Sequence, residues 1–275
     1  MKNIITQKWL ISKIDKSNLV IFDVRAKLDD INYGYSEYRN GHIKKAQFIS
    51  MEKILTGSLS THGGRHPLPI MEDFIQDMRK FGVNDNSIIV IYDDGDLSMA
   101  SRMWWLLRYA GKDNIYILKG GIRDWIYNNL ETTCEKFIPE ELGSLSLKIN
   151  DSMVVDVDYI KKNINNEDIA IIDSRIYERY AGIVEPIDKI PGHIPGAINY
   201  PWLDVINDGK LLSAFELKGY YKHLEDYQER IVYCGSGITG TVNILFMEEI
   251  GLKPKLYVGG YSDWISYKEN YIEKL

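Results

Sequence analysis

Cysteine is scarce in this chain of 275 residues, which contains only Cys134 and Cys234. Two cysteines so far apart do not form the disulfide framework of a small secreted protein. Hydrophobic runs longer than a β-strand are also missing, which argues against a transmembrane helix. The opening residues, MKNIITQKWL, lack the apolar stretch of a signal peptide. We therefore expect a soluble cytoplasmic protein whose thiols stay reduced.

Positive charge is in deficit as well, because 39 Asp and Glu stand against 33 Lys and Arg, a net charge of -6. This balance argues against a nucleic-acid or anionic-membrane partner. The chain also lacks the G-x-G-x-x-G and G-x-x-x-x-G-K motifs that cradle dinucleotides and nucleotide phosphates. Hydrophobic residues make up 45% of the chain, so a sizeable core can be buried.

Four short patterns, in contrast, occur twice and in the same order. The pairs are LVIFDVR (19–25) with IAIIDSR (169–175), YRNGHIKKAQF (38–48) with KIPGHIPGAIN (189–199), SIIVIYDDG (87–95) with ERIVYCGSG (229–237), and IYILKGGIRDW (115–125) with KLYVGGYSDW (255–264). Because the order is kept over the whole length, the pattern indicates a duplicated domain. It predicts a first domain over 1–135, a linker over 136–152 and a second domain over 153–275.

Continuous apolar strands alternate with amphipathic helices in each half. Runs such as IAIID are typical of parallel strands that are buried on both faces. The segments MEDFIQDMRKFGV and SMASRMWWLLRYAG have helical periodicity, and Gly111 is expected to end the second helix. Each half is therefore predicted to be a small α/β domain with a mainly parallel sheet and helices on both faces. Chemistry in such folds lies at the carboxyl ends of the strands.

Cys234 occupies such a strand end and is followed by the glycine-rich segment GSGIT. Glycines let the backbone curl so that N–H groups point at one anion, and a helix starting near Gly240 directs its positive end to the same place. Because the thiolate is the reactive form of cysteine, this pattern predicts a nucleophile. Cys134 has no such loop and is expected to be inert. Cysteine phosphatases share the pattern, but they carry an arginine where this chain has Gly240.

Together these motifs resemble the tandem-domain rhodaneses, the thiosulfate and 3-mercaptopyruvate sulfurtransferases. GGRHPLP (63–69), GHIPGAINYPW and CGSGIT carry much of this resemblance. It implies a two-step reaction in which the cysteine takes a sulfur atom from a small anionic donor and holds it as a persulfide. Cyanide or a thiol, in a small molecule or a thioredoxin-like protein, then accepts the sulfur. No metal or organic cofactor is implied.

The resemblance also implies roles for individual residues. Cys234 is the nucleophile, Ser236 is the loop serine that assists it, and Arg179 holds the anionic group of the donor. The surrounding loop binds the donor and the persulfide through Gly235, Gly237, Ile238 and Thr239. His42 and Arg65 are candidates for an assisting role, although His193 repeats the position of His42, so a structural role is equally expected there. Arg175 is expected to pair with Asp173.

Two departures from the family pattern concern the donor. Asp188 stands where mercaptopyruvate enzymes often have a second arginine, and Gly235 and Ser236 stand where the thiosulfate branch usually has cations. The loop without cations favours mercaptopyruvate, and the missing arginine at Asp188 weakens that preference. We therefore expect activity with both donors and a higher kcat/KM for mercaptopyruvate. A persulfide carrier for a protein partner is the alternative function, and a non-catalytic binding module is a weaker one.

Overall fold

The computed structural model describes residues 1–207 and 210–275, and the chain divides into two compact units. The first unit comprises Met1–Gly57 and Leu68–Asn150, and the second comprises Ser58–Pro67 and Asp151–Leu275. The boundaries at 135 and 153 stay a prediction. The segment Ser58–Pro67 is the part of the first repeat that lies in the second unit.

The first unit is built on a five-stranded parallel sheet with the order β1-β5-β4-β2-β3. Its strands are β1 (Ile4–Ile5), β2 (Leu19–Asp23), β3 (Ala46–Phe48), β4 (Ile88–Tyr92) and β5 (Ile115–Leu118). Its helices are α1 (Gln7–Ile11), α2 (Tyr33–Asn40), α3 (Met71–Lys80), α4 (Ser98–Tyr109) and α5 (Gly121–Tyr127), and Met51–Leu55 forms a π-helical turn.

Apolar side chains project from both faces of this sheet, as its continuous hydrophobic strands predict. Ile21 and Val90 belong to a buried cluster with side chains of α1 and α5. Phe22, which points to the opposite face, meets Phe81 edge-on just after α3. Helices therefore cover both faces, and the predicted fold class is confirmed.

The second unit repeats this topology with the order β6-β12-β11-β7-β8. Its sheet contains β6 (Val154–Val155), β7 (Ile169–Asp173), β8 (Ile198–Asn199), β11 (Glu229–Tyr233) and β12 (Lys255–Tyr257), while β9 (Ile206–Asn207) and β10 (Lys210–Leu211) form a small antiparallel pair. Its helices are α6 (Val157–Asn163), α7 (Tyr177–Tyr180), α8 (Ala214–Tyr220), α9 (Gly240–Glu249) and α10 (Gly260–Trp264), with short 3₁₀ turns at Asp151–Met153, Trp202–Val205 and Lys222–Asp226.

The differences from the predicted elements are small and have local causes. The outermost strands β1 and β6 have two residues each, too few to form a recognisable pattern. The helix α8 ends at Tyr220, and a separate 3₁₀ turn follows it. Gly111 adopts a φ of 86° directly after the last turn of α4, as its predicted role as a helix terminator requires.

The segment predicted as a linker, 136–152, follows the surface of the first unit up to Asn150. Its backbone N–H groups donate to carbonyl oxygens of that unit, from Gly143 to Arg79 and from Lys148 to Ala110. These bonds satisfy backbone groups that have no sheet or helix partner.

Candidate active site

The predicted nucleophile lies at the carboxyl end of β11, which pairs with β7 on one side and β12 on the other. Cys234 follows this strand directly and is 2% exposed. The helix α9 begins at Gly240, so the segment between strand and helix is the short loop that the sequence predicts. The thiol therefore lies where a parallel α/β sheet places its chemistry.

The loop directs a backbone N–H group at the sulfur atom. The N–H of Gly237 donates to Sγ of Cys234 at 3.2 Å, and Gly237 has a φ of 78° that favours glycine. Gly260 packs against the same loop with a φ of 60°, and a Cβ there would lie 2.6 Å from the carbonyl oxygen of Cys234 and 3.0 Å from the backbone nitrogen of Ser236. The repeated GG pair therefore permits close approach of α10 to the cysteine loop.

Arg179, the predicted donor ligand, is held by two buried carboxylates. Its Nε lies 3.0 Å from both carboxylate oxygens of Glu185, and its Nη2 lies 2.8 Å from Oδ2 of Asp188. The side chains of both acids are 2% exposed, and that of Arg179 is 13% exposed. The guanidinium is therefore fixed in orientation by a double fork rather than free on the surface.

Arg65 reaches the same carboxylate from the segment Ser58–Pro67. Its Nη1 pairs with Oδ1 of Asp188, and its backbone N–H donates to Oγ of Ser262 at 3.1 Å. Burial lowers the pKa of Arg65, and the nearby positive charge of Arg179 lowers it further. The positive charges of Arg65 and Arg179 thus lie close together, on either side of the Asp188 carboxylate that they share.

Both guanidinium groups face the residue that follows the cysteine. A Cβ built on Gly235 would lie 2.9 Å from Nη2 of Arg65, 3.5 Å from Nη2 of Arg179 and 3.7 Å from Nη1 of Arg179. An anionic donor whose sulfur meets Cys234 can therefore direct its charged end to two arginines. The absence of a side chain at Gly235 keeps that space open.

The loop hydroxyl has a histidine partner from the same inserted segment. Nδ1 of His66 lies 2.6 Å from Oγ of Ser236, and Ser236 is 5% exposed. Ile238 is buried, and its carbonyl oxygen accepts a bond from the Thr241 hydroxyl at 2.6 Å. Thr239 precedes α9 and makes no side-chain cap bond to it. Of the predicted loop residues, Gly237 contacts the sulfur of Cys234, Ser236 contacts His66, and Ile238 contacts Thr241 in α9.

Similarity to known proteins agrees with this site. A family model described as Rhodanese-like domain matches residues 6–128 and 156–267. The chain belongs to the rhodanese family. A probable 3-mercaptopyruvate sulfurtransferase of Pseudomonas aeruginosa is 32% identical, over 96% of this chain and 95% of its own. A putative thiosulfate sulfurtransferase, SseB of Mycobacterium tuberculosis, is 33% identical over 90% and 87%.

Comparison with solved structures also places this chain among the rhodaneses. The crystal structure of SseA from Escherichia coli, described with the rhodanese fold of 3-mercaptopyruvate sulfotransferases, matches with a TM-score of 0.82 at 32% identity. It covers 94% of this chain and 98% of that chain. Since relatives of nearly equal length carry sulfurtransferase names, this rhodanese is an enzyme of that class.

Arg175 has a structural role in this rhodanese, as the sequence predicts. Its Nη2 lies 2.6 Å from Oδ2 of Asp173 and donates to the carbonyl oxygen of Gly192 at 2.7 Å. Its guanidinium carbon lies 3.9 Å above the ring of Tyr261, and its Nη1 lies 3.2 Å from Glu185. Arg175 therefore anchors Glu185, which in turn orients Arg179.

His42, a candidate for assistance, makes its contacts inside the first unit. Nδ1 lies 2.7 Å from the carbonyl oxygen of Tyr38, Nε2 lies 3.1 Å from that of Glu135, and the ring stacks on Tyr38. His193 repeats the arrangement in the second unit, with Nδ1 2.8 Å from the carbonyl oxygen of Tyr180 and a stacked ring. These matching contacts favour a structural role for both histidines.

The first rhodanese domain carries a carboxylate at the position of the cysteine. Asp93 follows β4 and accepts bonds from the backbone N–H groups of Gly95 at 2.8 Å, Leu97 at 3.3 Å and Ala100 at 3.1 Å. Burial, together with the charge of Asp96, raises the pKa of Asp93 to about 7. The N–H groups of this loop are therefore occupied by a side chain of the domain itself.

Sequence reasoning missed how the donor site is held together. In the sequence, Asp188 is notable only because it stands where an arginine is expected. In the structure, its carboxylate bridges Arg65 and Arg179. The bond between His66 and Ser236 joins residues 170 positions apart. The motif GGRHPLP was the available signal, since glycine, arginine and histidine together suit a loop that closes on a site.

Among the residues that the structure describes, no helix combines the length and apolar character needed to cross a membrane.

Proposed function

We propose that this rhodanese transfers the sulfur of 3-mercaptopyruvate, and less efficiently that of thiosulfate, to an acceptor through a persulfide on Cys234. The observation that carries the proposal is the position of two guanidinium groups over Gly235, beside a cysteine whose sulfur accepts a backbone N–H bond. The names of the relatives include both donors. In this proposal 153–275 is the catalytic domain, 136–152 is the linker, and 1–135 is a rhodanese-like domain without a catalytic cysteine, whose segment Ser58–Pro67 belongs to the same compact unit as the catalytic domain.

In the first step the Cys234 thiolate attacks the sulfur of the donor. With mercaptopyruvate an S–S bond forms and the C–S bond breaks, so its electron pair leaves with carbon as the enolate of pyruvate. With thiosulfate the S–S bond of the donor breaks instead, and sulfite leaves with the electron pair. Arg179 and Arg65 hold the carboxylate or sulfonate end, and the loop N–H groups stabilise the anionic persulfide.

The two leaving groups differ in their need for a proton. An enolate must be protonated to become pyruvate, whereas sulfite is stable as an anion. The hydroxyl of Ser236, which lies 2.6 Å from Nδ1 of His66, is the side chain that supplies this proton, and His66 restores it. The pair therefore assists the mercaptopyruvate reaction specifically.

In the second step a nucleophile attacks the outer sulfur and restores the Cys234 thiolate. Cyanide forms thiocyanate, and a thiolate acceptor forms a new persulfide. The segment that carries Glu185 and Asp188 also exposes four apolar side chains, those of Ile183, Val184, Ile187 and Ile190. Such a patch is typical of protein contacts, so a thioredoxin-like protein or another protein thiol is the second candidate acceptor. We place the reaction in the reducing cytoplasm, because both cysteines are free thiols.

Steady-state turnover with each donor and with cyanide or a small thiol as acceptor tests the proposal. Cys234→Ser should abolish turnover with both donors, since no other group can carry the sulfur. Cys134→Ser is the matched control, because this exposed thiol lies in the first unit and should be dispensable. Full activity in the Cys234→Ser protein would overturn the proposal. A protein that forms the persulfide but turns over only with a protein thiol would instead be a carrier.

A further inference from the structure

The most unusual feature of the donor site is an acid between its two arginines. Asp188 accepts from Nη1 of Arg65 with Oδ1 and from Nη2 of Arg179 with Oδ2, the latter at 2.8 Å. Its side chain is 2% exposed, so its charge is not dispersed by water. Arg65 and Arg179 come from segments more than a hundred residues apart. The carboxylate of Asp188 therefore joins the two guanidinium groups that meet over Gly235, while Glu185 also holds Arg179.

The bridge also leaves one edge of each guanidinium available. Nη2 of Arg65 and Nη1 of Arg179 make no hydrogen bond to any residue that the structure describes, and both lie within 4 Å of the Cβ position of Gly235. Beside Arg65 and Asp188 a cavity of about 500 Å³ opens along the segment 59–65. That cavity is not lined by Arg179 or Gly235; the two free edges face Gly235 instead, where an anion can meet both of them without displacing Asp188.

The net charge around this bridge is nevertheless small. Its arginines are matched one for one by acids, and the six side chains are Arg65, Arg175, Arg179, Asp173, Glu185 and Asp188. The site thus offers directed N–H donors without a surplus of positive charge. A dianion gains more than a monoanion from each added positive charge, because the interaction energy is proportional to the product of the charges.

We propose that Asp188 is the specificity-determining residue of the donor site. Its carboxylate recruits Arg65 as the second guanidinium, and it withholds one unit of positive charge, so that the site favours a singly charged donor carboxylate over the thiosulfate dianion. This inference rests on the proposed sulfurtransferase function. In this proposal Asp188 has a function of its own, because it binds Arg65, and Arg65 takes the place of the second arginine that is missing at position 188.

The test compares Asp188→Asn with wild type by measuring kcat/KM for both donors with one acceptor at fixed ionic strength. Asparagine keeps the size and one acceptor oxygen but removes the charge. We expect the thiosulfate to mercaptopyruvate ratio to rise about tenfold, which corresponds to about 1.4 kcal/mol. The shift should shrink in high salt, because Arg65 is about one-third exposed. An unchanged ratio in a folded variant would overturn the proposal.

Two further variants control the interpretation. Asp226→Asn makes the same change in net charge on an exposed residue that precedes β11, a strand about 16 Å long with Cys234 at its other end, and should leave the ratio unchanged. Arg65→Gln removes a positive charge and should lower the ratio below that of wild type. If Asp188→Asn fails to fold, the Arg65→Gln result decides, and a ratio equal to that of wild type would contradict the proposal.

A binding measurement separates this inference from the proposed function. In the Cys234→Ser background no sulfur can be transferred, so calorimetric titration with thiosulfate and with pyruvate measures anion binding alone. Adding Asp188→Asn should tighten thiosulfate binding about tenfold more than pyruvate binding. If wild type turns over neither donor but this difference is found, the proposed function is wrong and the role of Asp188 stands. Equal changes for both anions would refute that role whatever the turnover shows.

Discussion

Gly235→Ala places one methyl group in the donor site and tests its location directly. The new Cβ would lie 2.9 Å from Nη2 of Arg65, tighter than an ordinary contact, and 3.5 Å or more from Arg179. The flexible end of Arg65 must retreat, and the methyl occupies the space between the arginines and Cys234. Losing one charge-stabilising donor costs about 2.7–4 kcal/mol in comparable sites. We expect kcat/KM to fall about a hundredfold or more with both donors.

The control for this change is Gly240→Ala at the start of α9. A Cβ there would make only ordinary contacts, at 3.5 Å, and alanine favours a helix over glycine by about 1 kcal/mol. This variant should be as stable as wild type or slightly more stable, with unchanged turnover. The assay pairs kcat/KM for both donors with thermal unfolding. A Gly235→Ala enzyme with wild-type kcat/KM would refute the placement of the donor over Gly235.

Three other changes have distinct expected results. Arg179→Lys should lower kcat/KM about tenfold or more with both donors, because an ammonium cannot reproduce the fork to Glu185; unchanged kinetics would show that the guanidinium does not hold the donor. His66→Ala should lower kcat with mercaptopyruvate about a hundredfold and leave thiosulfate turnover nearly unchanged, because only the enolate needs a proton; equal losses with both donors would contradict that role. Because burial raises the pKa of Asp93 in the folded state to about 7, its carboxyl should contribute a loss of unfolding free energy as pH rises from about 4 to 7. Urea titrations across that pH range should show that the Asp93→Asn protein lacks this contribution; an identical pH dependence of wild type and variant would show that Asp93 does not titrate there.

The fold was largely predictable because its causes are local. Continuous apolar strands, helical periodicity and glycine terminators repeat in both halves, and the structure contains the same sheet order twice. The two-residue strands β1 and β6 escaped prediction, because strands so short are defined by their neighbours rather than by their own pattern. The sequence also did not show that Ser58–Pro67 belongs with the second unit, because its place there depends on contacts with residues distant along the chain.

The candidate site was predictable only in part. The cysteine and its loop form one continuous segment, so their chemistry can be read from adjacent residues. The bridge at Asp188 could not be read in this way, because it depends on Arg65, which lies far away in sequence. The same holds for the bond between His66 and Ser236. Side-chain partners from distant segments are set by the tertiary fold.

The most direct test of the account is the mass of the protein after brief treatment with mercaptopyruvate or thiosulfate in the absence of an acceptor. We predict the addition of one sulfur atom, confined to the peptide that contains Cys234 and removed by cyanide. The Cys134 peptide should stay unmodified, since that thiol has no surrounding loop of N–H donors. A sulfur adduct on Cys134 alone, or turnover without any adduct on Cys234, would contradict the central claim.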